Sequence, residues 1–200
     1  RGRLLRSALH PMTEGEGGVG KILEFEEQRR RLAAKRAFQS WTRRFSEFYD
    51  GDTTLEDLSD ATIMNLIRGG KDSSMPLYDF TMGVMGLGVG QRFHFLESSV
   101  KIAVMDIALF LLDQIRFEAM HRLGWVEDFH TFHVPMVDLV SSFTERYSQV
   151  RHHSPPLSGS HPRYTEYLQT FEADRGAFVR KLIPEAIQVF EKERGGPGDS

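Results

Sequence analysis

The stretch from Ser98 to Gly124 constrains the fold more than any other part of the chain. It reads as one long helix, apolar on most of its circumference through its first four turns. Ser98 or Ser99 can cap its start, because a hydroxyl accepts from the free amides of a first turn. Gly124 can end it, because glycine enters the left-handed conformation without a Cβ clash. A helix apolar nearly all round sits inside a bundle. The expected fold is therefore all-α, a bundle of six or seven helices wrapped around a central helix at about residues 98–123.

Upstream, a helix is expected from Lys21 to Tyr49. Its apolar positions Ala34, Phe38, Trp41, Phe45 and Phe48 recur at steps of four and three, a heptad-like seam that buries against a neighbour or a second chain. Thr54-Leu-Glu-Asp57 has capping-box spacing and predicts a short helix there. A further helix runs from Ser59 to Arg68 and stops at Gly69-Gly70. Lys71 to Ser74 reads as a loop, with Ser74 capping a helix from Met75 to about Leu87 and a break from Gly88 to about Phe95.

Downstream, Trp125 to Phe132 is an aromatic connector. A helix follows from Val134 to near Arg151. The segment His152 to Pro162 holds a proline pair and is expected to be an exposed loop. A last apolar stripe runs from Tyr164 to Phe190, with Pro184 expected to kink or divide it. No stretch has convincing strand alternation or hairpin chemistry.

With 200 residues, one core is the default, and the reading is a single helical domain over 19–194. Residues 1–18 are set aside as disordered or extraneous, with Met12 read as a natural start, and 195–200 as a flexible tail. The chain has no cysteine, which removes disulfides, thiolate zinc sites and cysteine nucleophiles, and fits a reducing cytoplasm. Its net charge of −3 argues against general nucleic-acid binding. The most apolar run, Ile102 to Leu112, contains Asp106 and is far short of the roughly 20 residues a membrane span needs.

Four groups of residues carry possible chemistry. Glu118 and His121 lie three apart on the central helix, a spacing that lets both reach one metal, and His130 and His133 follow shortly. The ordinary alternative is surface or capping residues. Asp106 and Asp113 lie seven apart on one face of the same helix and interrupt its apolar run. A buried carboxylate must be paired, hydrogen-bonded or neutral, so these predict either ion pairs with arginines of the first helix or two acids in a pocket. Arg29, Arg36 and Arg43 form a basic face that can follow phosphates, or is simply solvated. Finally, Thr81 to Gly90 is glycine-rich without being a phosphate loop. Its small residues let helices approach closely, and Met82, Met85, Met105 and Met120 can line an apolar ligand cavity.

No dense polar constellation points to catalysis. The leading expectation is a non-enzymatic interaction or scaffold protein that forms a homodimer through the seam of the first helix. The alternatives are a metal-binding bundle using Glu118 and His121, then nucleic-acid or apolar-ligand binding.

Overall fold

The computed structural model describes residues 16–150 and 153–194. Residues 1–15 and 195–200, on which the expectations for the two ends chiefly fall, lie outside the described residues. The described chain is all-helical: α1 Glu16–Ala37, α2 Gln39–Phe45, α3 Asp60–Ile67, α4 Lys71–Val84, α5 Ser98–Arg122, α6 Met136–Val150, α7 Tyr164–Gln169 and α8 Arg175–Arg194, with 3-10 turns at Gly90–Phe95, His130–His133 and Glu172–Asp174. The described residues hold no strand, only an isolated antiparallel bridge between Val126 and Leu157.

The central helix starts and stops where its sequence says. Glu97 rather than Ser98 or Ser99 takes the cap position. At the far end Gly124 has φ +71, its N–H donates to His121 O at 2.8 Å, and the Trp125 N–H donates to Met120 O at 2.9 Å. Those bonds satisfy the orphan carbonyls of the last turn. The second half of α5 is wrapped on all sides, with Phe117, Glu118, Ala119 and Met120 consecutively buried. The first half is open along one side, a departure from the expected rod.

The first helix extends further at its start than the sequence suggests, beginning at Glu16. At Phe38 (φ −86, ψ −2) it loosens, though Phe38 still bonds Ala34 O and accepts from the Thr42 N–H, both at 2.9 Å. It ends at Ser46, which is left-handed at φ 57, so Phe48 lies past the helix and is 84% exposed. The rest of the seam is covered by the chain itself. Phe38, Trp41, Tyr49 and Phe80 form one ring cluster with centroids 4.8–5.9 Å apart, and the Trp41 Nε1–H donates to Pro76 O at 2.8 Å. The seam from Ala34 to Trp41 is thus packed within the chain, while Phe48 stays outside it.

Several local expectations are corrected. Thr54 and Asp57 do pair, with the Thr54 N–H and hydroxyl both reaching Asp57 Oδ2 at 2.8 Å, but they close a turn rather than open a helix. The helix cap is Ser59, whose Oγ accepts from the Thr62 N–H. The expected loop at Lys71–Ser74 is the first turn of α4, capped by Gly70 at φ +91. Pro184 does not divide α8, which runs through it; the interruption lies at Thr170–Asp174. The loop over 153–162 is not simply exposed. Pro155, Leu157 and His161 are buried, because Leu157 bridges Val126 and His161 stands edge-on to the Trp125 ring at 4.8 Å.

Small residues do bring helices together. A Cβ on Gly83 would meet the Ala37 backbone at 2.6 Å, so α1 and α4 touch at a distance only glycine allows. Met82 and Met120 are fully buried core, Met85 is half-buried against it, and Met105 is 42% exposed. No described helix is long and apolar enough to cross a membrane.

Candidate functional site: a cleft beside the central helix

A cleft of about 990 Å³ opens between the first half of α5, the start of α8, the 3-10 turn at His130 and the bridged segment around His153. Six separate stretches of chain build it. α5 contributes Asp106, Leu109, Phe110, Asp113 and Gln114. The facing walls bring Phe143, His130, His153, Tyr167, Glu172 and Arg175, with Arg180 at one end.

The two aspartates flagged on the apolar helix both line this cleft, but their surroundings differ. Asp113 is answered by two arginines. Arg180 Nε donates to its Oδ2 at 3.1 Å, and Arg116 Nη1 lies 3.7 Å from its Oδ1. Those arginines come from α8 and α5 rather than from the first helix. Arg180 is fully engaged: its two Nη atoms donate to Gly176 O at 3.4 Å and His153 O at 3.1 Å, and its guanidinium lies 5.4 Å from the Phe117 ring centre. Asp106, by contrast, is half-buried and forms no ion pair with a described residue.

The rest of the lining is graded. Gln114 is buried and its Oε1 accepts from the Thr131 hydroxyl at 2.7 Å, which pins the 3-10 turn to α5. The His130 and His153 rings stand 6.1 Å apart, and burial, with the neighbouring His153, holds His130 below its usual range. It is neutral at neutral pH. Arg175 lies 5.3 Å over the Tyr167 ring and donates to Leu168 O at 3.3 Å.

Along the outer side of α5 runs a second feature that shares residues with the cleft. Ile102, Met105 and Leu109 are 61%, 42% and 58% exposed, at steps of three and four. They form one apolar stripe on a single helix face. Phe95, 89% exposed, stands just before the helix. Leu109 belongs to both stripe and cleft.

Of the four residues read as metal ligands, Glu118 and His121 face each other, while His130 and His133 go elsewhere. Glu118 is buried; its Oε1 accepts from Arg122 Nε at 2.7 Å, and its Oε2 lies 3.7 Å from His121 Nδ1. Burial pushes its carboxyl up, against the pull of Arg122. Arg122 continues to Asp60 Oδ1 at 2.8 Å and to the carbonyls of Leu55 and Glu56, so this network ties α5 to the turn before α3. Arg122 holds only Oε1; the buried Oε2, which faces His121, accepts no hydrogen bond from a described residue. His121 stacks on Phe132 at 5.1 Å, and His130 lies in the cleft.

His133 sits between two carboxylates that sequence spacing did not connect to it. Its Nδ1 is 2.9 Å from Glu56 Oε2 and its Nε2 is 2.8 Å from Asp128 Oδ1. Among the described residues these three form the one group close enough to hold a cation together. Each ring nitrogen already faces its own carboxylate, which suits an imidazolium better than a single ion. Hydrogen bonds to Asp128 and Glu56 accordingly raise the His133 pKa, and the His133 bond lowers that of Asp128.

Arg29, Arg36 and Arg43 are all exposed on the outer side of α1 and α2; Arg43 Nε bonds Gln39 O of its own helix at 3.3 Å. No family model matches the chain, and the comparisons with curated proteins and with solved structures find no match either.

Proposed function

We propose that this chain acts by association, pairing with a second copy of itself through the exposed stripe of α5. The observation that carries this reading is the heptad order of that stripe. Ile102 and Leu109 fall at a positions and Met105 at the d position between them, the next d residue Leu112 is half-buried against the core, and the opposite face of the helix, with Val104, Ile107 and Leu111, is core. An apolar row held outward on a rigid helix is the surface such proteins use for partners.

Charge favours a second copy as the partner. Lys101 and Asp106 flank the stripe at the g and e positions, and neither forms an ion pair with a described residue. When two α5 helices lie parallel, each Lys101 faces Asp106 of the other copy, in both directions at once. The contact is small. A stable interface of ordinary size buries about 800 Å² per partner, and two to three turns of helix supply less, so micromolar dissociation constants are expected. One continuous core joining α1 to α8 supports taking 19–194 as a single domain, and the cysteine-free chain suits the cytoplasm.

Sedimentation equilibrium from micromolar to millimolar concentration tests the reading. A monomer–dimer equilibrium is expected, with the double variant Ile102→Gln, Met105→Gln monomeric throughout. A wild-type chain that stays monomeric, or a variant that dimerises as well as wild type, overturns it.

A further inference from the structure

We propose that the cleft between α5 and α8 binds an organic cation with an apolar body, of the alkyl- or arylammonium class. This goes beyond self-association and does not depend on it. Three observations carry it.

The first is size. Pockets for small organic ligands span about 300–1,000 Å³, and this cleft holds about 990 Å³. The second is its apolar wall. Leu109, Phe110, Phe143 and Tyr167 give a hydrocarbon or aromatic body a surface to leave water for, and ring faces attract a cation.

The third is the sign of the charge left over. Asp113 is neutralised by Arg180 and Arg116, and every donor nitrogen of Arg180 has an acceptor. Arg175 lies over Tyr167 and bonds Leu168 O, but among the described residues it has no carboxylate partner and its buried Nε no acceptor. His130 is neutral. Asp106 and Glu172 line the cleft without an ion pair to any described residue. Three lining carboxylates, Asp106, Asp113 and Glu172, face two lining guanidiniums, Arg175 and Arg180, so the balance of the cleft is negative by one. In a half-covered site an ammonium gains attraction there that water does not fully screen, and a carboxylate is repelled.

The test is calorimetric titration with three probes of equal chain length: hexyltrimethylammonium, hexanoate and hexanol. The cation is expected to bind once per chain, about tenfold or more tighter than hexanoate, given an unscreened carboxylate within reach. In the double variant Asp106→Asn, Glu172→Gln the cation should bind no tighter than hexanol. Unchanged hexanol binding in that variant shows that the cleft is intact. The inference is overturned if hexanoate binds as tightly as the cation, if the preference survives in the double variant, or if no probe saturates. The same titrations on the Ile102→Gln, Met105→Gln chain, whose changes lie outside the cleft, show the preference for the cation without competition from a second copy, so cation binding is read whether or not self-association holds.

Discussion

Arg180 reaches Asp113 across the cleft, with its Nε 3.1 Å from Oδ2, while Asp106 one heptad earlier on the same helix face meets no cation in the described chain. The two aspartates therefore play different parts. Asp113→Ala removes the acceptor of a half-buried guanidinium and should cost about 1.5–3 kcal/mol, the range for hydrogen bonds to charged groups. Asp106→Asn should stay within about 0.5 kcal/mol of the parent. Urea denaturation of both variants checks this. A larger loss at Asp106 than at Asp113 would reverse the assignment.

Gly83 packs against the Ala37 backbone with no room for a side-chain carbon. Alanine there gains about 1 kcal/mol of helix propensity but forces α1 and α4 apart. A net destabilisation of about 1–3 kcal/mol is expected from overpacking. Gly86→Ala, at φ +73 with open space around it, should cost about 1–2 kcal/mol through backbone strain alone. Thermal unfolding measures both, and cutting Ala37 to glycine should not restore Gly83→Ala, because the atoms it meets belong to the main chain.

The histidines should titrate in opposite directions from their ordinary value of 6.5. His133 is raised, so its carboxylate clasp contributes stability that is fully present below pH 6.5 and lost as pH rises through its folded value. Asp128 is lowered from 3.8, so its share is present above that pH and lost as pH falls through the depressed value. The clasp thus holds best between the two. Ring-proton shifts followed by NMR should give His133 the higher midpoint, returning toward 6.5 in Asp128→Asn. His130 should protonate only below 6.5, and hexyltrimethylammonium affinity should fall as it does. A His133 midpoint at or below that of His130 would refute the clasp.

Pairing of α5 in parallel makes a charge-swap prediction. Lys101→Asp and Asp106→Lys should each weaken association several-fold, and the two together should restore it, as for g–e′ pairs in coiled coils. Sedimentation velocity reads all four chains. Additive losses in the double variant would mean that these residues do not face each other.

How far the sequence discloses this molecule depends on the range of the interaction. Both ends of α5 were legible, because its apolar run and Gly124 act within a few residues. So was the oddity of Asp106 and Asp113, since acids in an apolar helix demand an answer. The identity of that answer was not legible. Arg180 lies 67 residues from Asp113 in the chain, and no spacing rule connects them. The Phe38 loosening has no proline or glycine to announce it, and the seam of the first helix could not reveal that α4, through Phe80, would be its partner. Likewise the Asp128–His133–Glu56 group joins a connector to a turn 77 residues away. Gly70 overrode Ser74 as a cap because its left-handed backbone lets the helix begin a turn earlier.

Leu109 and Asp106 each border both the outward row of α5 and the hollow beside it. A neighbouring copy seated on that row brings its own lysine to the carboxylate that a small amine would claim. Crowding would then evict the guest, and a saturating guest would keep copies apart, so abundance of the chain becomes a dial on release.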